Sequence, residues 1–168
     1  MPAKPLSPHE AKVTAWLAEQ HGAMLALLEE VVNIDSGSYD KAGVDKVGER
    51  FMRFYEERGH LTTREAHATF GDAIHVRMDD TRSNLRPIVL MGHRDTVFPK
   101  GEAARRPFTI RDGRAYGPGV CDMKAGLVMN LFVLEAFKRF GGAPAPLAGL
   151  VTSDEEIASP SSRPVIET

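Results

Sequence analysis

Two short apolar runs constrain this chain more than any other feature. Arg86-Pro87-Ile88-Val89-Leu90-Met91 and Leu147 to Thr152 are of strand length and lack in-out alternation. A continuous run of that kind marks a strand covered on both faces. Both runs break off into clusters of reactive side chains. The first releases into Gly92-His93-Arg94-Asp95-Thr96, the second into Ser153-Asp154-Glu155-Glu156. In open α/β sheets, ligands bind beyond the carboxyl ends of the strands, so these two clusters are where a site is to be sought.

The rest of the chain supplies the helices and further strands. Ser7-Pro8-His9-Glu10 reads as a capped helix start, with Glu10 completing a capping box. Val13, Trp16, Leu17, Met24, Leu27, Leu28, Val31 and Val32 then recur at helical spacing, which predicts one apolar face. A second helix is expected from Lys41 to Arg58, with Val44, Val47, Phe51, Phe54 and Tyr55 inward and Gly59 as its cap. Leu61 to His67 and Ala73 to Met78 read as strands, joined onward by a polar loop from Asp79 to Asn84. Asp112-Gly113 between Phe108-Thr109-Ile110 and Arg114-Ala115-Tyr116 is a two-residue hairpin signal. A mostly apolar helix is expected from Asp122 to Phe140, and Ser159 to Thr168 reads as a loop leading into another helix. Helices alternating with strands favour an α/β layer fold: a central, mostly parallel or mixed sheet flanked by helices.

Composition removes several functions. At 168 residues, with 42% hydrophobic and 26% charged residues, the chain can build one ordinary globular core. A net charge of −2 gives no electrostatic reason to bind nucleic acid or an anionic membrane. No run of about 18 apolar residues offers a membrane span. The polar, proline-bearing start from Met1 to Glu10 does not resemble a signal peptide. With the single Cys121, which cannot form an internal disulfide, the expected location is the cytoplasm.

The chemistry gathers in three clusters, the third being Gly117-Pro118-Gly119-Val120-Cys121-Asp122. Adjacent carboxylates at Asp154, Glu155 and Glu156 repel one another; at ~4 Å two like charges cost about 4 kcal/mol at an effective dielectric near 20. A proton or a cation must relieve that. A divalent metal shared with His93 and Asp122 would do so, since imidazole and carboxylate are its preferred donors. Taken singly, each cluster has a plainer reading: a solvated acidic loop, a hydrogen-bonded His-x-Asp surface pair, a Gly-Pro-Gly turn. Their order and spacing distinguish the metal site from these. Cys121 with His93 as its base is an alternative nucleophile, set against a small half-buried residue beside the site. The remaining histidines, His9, His21, His60, His67 and His75, have no paired spacing and read as surface or core residues.

Met91-Gly92-His93-Arg94-Asp95-Thr96-Val97, Tyr116 through Gly126 and Thr152-Ser153-Asp154-Glu155-Glu156 resemble the three signature blocks of a zinc peptidase family. That family contains glutamate carboxypeptidases, aminoacylase, acetylornithine deacetylase and succinyl-diaminopimelate desuccinylase. The likeness is closest to the glutamate carboxypeptidase branch, through Gly92 to Phe98 and Gly117-Pro118-Gly119. The resemblance implies that His93 is a metal ligand, Asp122 a carboxylate bridging two zinc ions, and Glu156 a ligand of the second. It makes Glu155 the general base and Asp95 the residue that orients His93. Cobalt or manganese could replace zinc.

The resemblance further implies an amide or peptide hydrolase acting through a metal-activated water, releasing a C-terminal amino acid such as glutamate. An N-acyl amino acid deacylase of the same family is the alternative. The substrate is a small peptide or N-acyl amino acid, and the full-length protein could be a homodimer. Adjacent glutamates could divide their tasks if an extended segment pointed them to opposite sides. The family's further acidic ligand, its final histidine and its lid and dimerisation domain are not found in residues 1–168, which therefore read as the N-terminal portion of a catalytic domain. A non-catalytic truncated fragment is the competing expectation.

Overall fold

The computed structural model describes residues 5–78 and 84–167; of the polar loop expected at Asp79 to Asn84, only Asn84 lies among them. The chain forms α1 (Pro8–Glu19), α2 (His21–Val32), α3 (Lys41–Glu56), β1 (Leu61–Glu65), β2 (Ala73–Arg77) and β3 (Ile88–His93). It continues through α4 (Glu102–Arg105), β4 (Thr109–Arg111), β5 (Arg114–Tyr116), α5 (Ala125–Arg139), β6 (Leu147–Thr152) and α6 (Ser162–Ile166). Among the described residues, no helix is long and apolar enough to cross a membrane.

Local chemistry explains several boundaries. Ser7 accepts from the Glu10 amide while Glu10 reaches back to the Ser7 amide at 2.7 Å, closing the capping box at the start of α1. Asp40 caps α3, and Gly59, at φ +69°, turns the chain out of it. Asp112 and Gly113 both adopt positive φ, 51° and 71°, the pair a type I′ hairpin turn requires between β4 and β5. The single apolar face expected from Val13 to Val32 is carried by two helices, broken at Gln20, whose amide closes a tight turn onto the Leu17 carbonyl at 3.1 Å.

The main sheet has four strands in the order β1-β2-β6-β3. β1 with β2 and β2 with β6 are antiparallel; β3 with β6 is parallel, so the sheet is mixed rather than mostly parallel. α3 packs on β1 and β2, α5 packs on β3 and β6, and α1 and α2 pack on α5. Leu27, Val31, Phe51, Phe54, Ile74, Val76, Leu131, Leu134 and Val151 share the core beneath them.

One expectation fails here. β3 is not covered on both faces: Ile88, Val89 and Met91 are 53%, 49% and 48% exposed. β3 occupies an edge and pairs only with β6 among the described residues. Only its carboxyl end is buried. There Gly92 admits the stretch that leads into α5 and the helix's first turn; a Cβ on it would lie 2.6 Å from Met123 Cε and 2.9 Å from Leu127 Cδ2.

Candidate metal centre

The parallel pairing of β3 and β6 sets His93 level with Thr152. Both clusters expected to carry chemistry therefore leave the sheet at the same carboxyl end, as open α/β sheets place their ligand sites. Asp122 reaches this end from a different direction. The helix expected from Asp122 begins at Ala125 instead; Asp122, at φ −118° and ψ 101°, lies in an irregular, non-helical stretch before it. Gly119, at φ +69°, turns the chain into that stretch. A helical Asp122 would have been fixed to the axis of α5, whereas the irregular backbone carries it to His93.

His93 is buried, and its two ring nitrogens face different partners. Nδ1–H donates to the Asp95 carbonyl at 3.1 Å, with Asp95 Oδ1 at 3.3 Å. Nε2 lies 3.0 Å from Asp122 Oδ1 and 3.6 Å from Glu155 Oε2. Ligand atoms of His93, Asp122 and Glu156 all fall within 4.8 Å of one another. Burial opposes a charge on His93, but the hydrogen bond and charge of Asp95, then Asp122 and Glu155, outweigh it and push its pKa up to about 9. The Glu156 carboxyl moves upward too, through burial and then the charges of Asp122, Asp95 and Glu155, against the pull of His93. This crowding of negative charge is what a divalent cation relieves, and one imidazole nitrogen with carboxylate oxygens is a donor set that fits one.

Asp95 does more than orient an imidazole. Fully buried, it also accepts from Ser38 Oγ at 2.7 Å and from the backbone amides of Glu155 and Glu156, each at 3.2 Å. Burial alone would raise its pKa, but the hydrogen bonds from His93, Ser38 and the Glu156 amide bring it below the usual carboxylate value. One carboxylate thus positions the histidine and both glutamates. Glu155 to Ile157 form a 3₁₀ turn, so the two glutamates are not separated by strand alternation as expected. Their directions are set by the turn that Asp95 holds. The acidic triplet is also divided: buried Asp154 accepts from the Ser161 amide and from Ser162 Oγ, and takes no part in the cluster around His93.

Sequence reasoning did not single out Ser38, Arg94 or Lys124. Arg94 is fully buried and donates to the carbonyls of Val44, Val151, Thr152 and Asp72. Burial brings its guanidinium down to about 10, opposed by Asp45 and Asp72, so it stays a cation at neutral pH. It clamps the end of β6 just before Glu155. Lys124, also buried, donates to the Val31 and Ile34 carbonyls, each at 2.8 Å, tying the Asp122 stretch to the end of α2. The only signal for Arg94 was its place inside a reactive cluster, and for Lys124 its place two residues after one. Cys121 is exposed and unpaired, and Nε2 of His93 faces Asp122 and Glu155.

Residues 89–168 match the family described as Peptidase family M20/M25/M40. Over these residues the chain is similar to this peptidase family. It is 32% identical to carboxypeptidase G2 from Pseudomonas sp. (strain RS-16) over 152 residues, 89% of this chain and 36% of that protein. It is 32% identical over 140 residues to succinyl-diaminopimelate desuccinylase from Variovorax paradoxus (strain S110), covering 79% of this chain and 35% of the relative. The chain therefore spans little more than a third of these relatives. Its fold is similar to part of human carnosine dipeptidase 1, with a TM-score of 0.80 at 17% identity over 98% of this chain and 38% of that one. The likeness to the M20 family points to a divalent metal.

Proposed function

We propose that this chain is a member of the M20 family and contributes to a metal-dependent hydrolase that cleaves the amide bond of a small peptide or N-acyl amino acid and releases an amino acid such as glutamate. The observation that carries the reading is the approach of His93, Asp122 and Glu156 ligand atoms to within 4.8 Å, with the other face of His93 held by Asp95. The names of the relatives, a carboxypeptidase and a desuccinylase, agree with amide cleavage next to an amino acid. Zinc is the metal we assign, because imidazole and carboxylate suit it. Three donors suffice for one ion with an open position, and among the described residues no second such group of donors is gathered. On this reading the chain is the first part of a longer catalytic unit. With its one unpaired cysteine, Cys121, it belongs in a reducing compartment, the cytoplasm.

The ion, when bound, supplies Lewis acidity that draws electrons from the amide carbonyl and acidifies a neighbouring water. Glu155, more than half exposed at 57% and facing the same side as His93 Nε2, takes the proton from that water and delivers it to the departing amine. Glu156, Asp122 and His93 hold charge and position, while Asp95 keeps Nδ1 protonated so that Nε2 presents its lone pair to the site. Hydrolysis of N-acyl glutamates by the full chain should disappear on treatment with a chelator and return with added zinc. Turnover indifferent to the chelator would overturn the reading.

A further inference from the structure

The end of α2 and the connection that follows it, residues 31–38, meet both segments that carry His93 and Asp122. On one side, Thr96 N–H donates to the Ser36 carbonyl at 2.9 Å and Ser38 N–H to the Thr96 carbonyl at 3.3 Å. Ser38 Oγ donates to Asp95 Oδ2 at 2.7 Å. The approach is as close as glycine permits: a Cβ on Gly37 would lie 2.5 Å from the Phe98 carbonyl oxygen. On the other side, Lys124 Nζ donates to the Val31 and Ile34 carbonyls. Between them, the Asp35 carboxylate accepts from the Gly101 and Ala103 amides at 2.7 and 2.8 Å, and Asn33 Oδ1 from the Phe108 amide at 2.8 Å. One short segment thus supports the chain at points from Asp95 to Lys124.

The two contacts nearest the centre are buried: Lys124 is 1% exposed and Ser38 4%. A buried ammonium is costly unless its hydrogens find acceptors, so the two carbonyls fix Lys124 in place. Asp122, two residues earlier, needs such an anchor. Its side chain is 76% exposed and its backbone is not helical, so neither packing nor the helix ladder of α5 fixes it. Ser36 supplies a contrast within the same segment. Its hydroxyl is as deeply buried, at 1%, yet has no partner among the described residues.

We infer that Ser38 and Lys124 are positioning residues for the metal centre: from one shared support they hold the carboxylate that orients His93 and the stretch that carries Asp122. The inference rests on the metal reading above and adds what sets the spacing of two of its ligands. The test measures zinc affinity and the visible spectrum of the cobalt-loaded full chain for wild type, Ser38→Ala, Lys124→Met and Ser36→Ala. Ser38→Ala and Lys124→Met should each weaken zinc binding about tenfold and shift the cobalt spectrum. Ser36→Ala removes a hydroxyl that makes no bond and should change neither. The double variant Ser38→Ala/Lys124→Met should lose less than the product of the single losses, because both act on one spacing. Wild-type affinity in either single variant, an equal loss in Ser36→Ala, or losses that multiply would overturn the inference. Should Lys124→Met fail to fold, Lys124→Gln, which keeps a donor, takes its place with the same expected loss and the same contrary result. If wild type binds no zinc, the metal reading fails by itself, and amide exchange in the metal-free protein decides the support. The Glu155 and Glu156 amides, which donate to Asp95, should then exchange faster in Ser38→Ala than in Ser36→Ala; equal rates would overturn it.

Discussion

His93 and His60 are both buried, at 5% and 3% exposure, and each has a carboxylate within hydrogen-bonding reach. His60 Nε2–H donates to Glu135 Oε2 at 3.0 Å, while its Nδ1 has no partner among the described residues. Yet the two rings are tuned in opposite directions. Burial lowers the pKa of His60; the hydrogen bond of Glu135 opposes this, but Lys138 and Arg58 reinforce it. Around His93, three carboxylates overcome the same burial. A buried His–carboxylate pair is thus not a site by itself. What distinguishes the centre at His93 is a surplus of negative charge left facing solvent, with Asp122 76% exposed and Glu155 57%. At His60 the charges are balanced, and the pair joins the residue before β1 to α5.

Substitutions can break this contrast, beginning with the largest effect. Glu155→Gln should lower kcat by about 10²- to 10⁴-fold, the usual worth of a positioned general base, with zinc content unchanged. Activity close to wild type would remove Glu155 from the chemistry. Asp95→Asn should weaken zinc binding by about 10- to 100-fold, because it disturbs the orientation of His93 and the turn bearing both glutamates. Glu135→Gln, the matching change at the other pair, should leave zinc affinity where it was. Equal effects in a competition titration would contradict the distinction.

The smallest effect concerns pH. Because folding lowers the pKa of His60 from 6.5, the unfolded chain takes up its proton first as pH falls. The contribution of His60 to stability is therefore steady above about pH 7 and declines as pH drops through 6.5 and below. Urea midpoints should fall less between pH 7.5 and 5.5 for His60→Gln than for wild type. Parallel losses would show that the lowered pKa of His60 does not govern this range.

The sequence disclosed what depends on neighbours along the chain. The capping box at Ser7, the inward face of α3, the Asp112-Gly113 turn and the strand Leu147 to Thr152 follow from local pattern, and the structure has each of them. It concealed what depends on tertiary placement. A one-residue break at Gln20 leaves the apolar period of α1 and α2 intact, so periodicity cannot detect it. An apolar run says that a strand is buried in something, not that its partner lies within the same residues, and Ile88 to Met91 are half exposed. His93, Asp122 and Glu156 were legible as candidates because reactive residues ended strands or preceded a helix, and the structure gathers them. Ser38 and the buried cations Arg94 and Lys124 were not, since a charged residue earns burial only through distant carbonyls that no spacing reveals.

The most direct measurement is zinc affinity, by competition with a chromophoric chelator, for the full chain carrying His93→Ala or His60→Gln. The account expects His93→Ala to lose tight zinc binding and His60→Gln to keep it. Wild-type affinity in His93→Ala, or equal loss in both variants, would contradict the metal centre at its root.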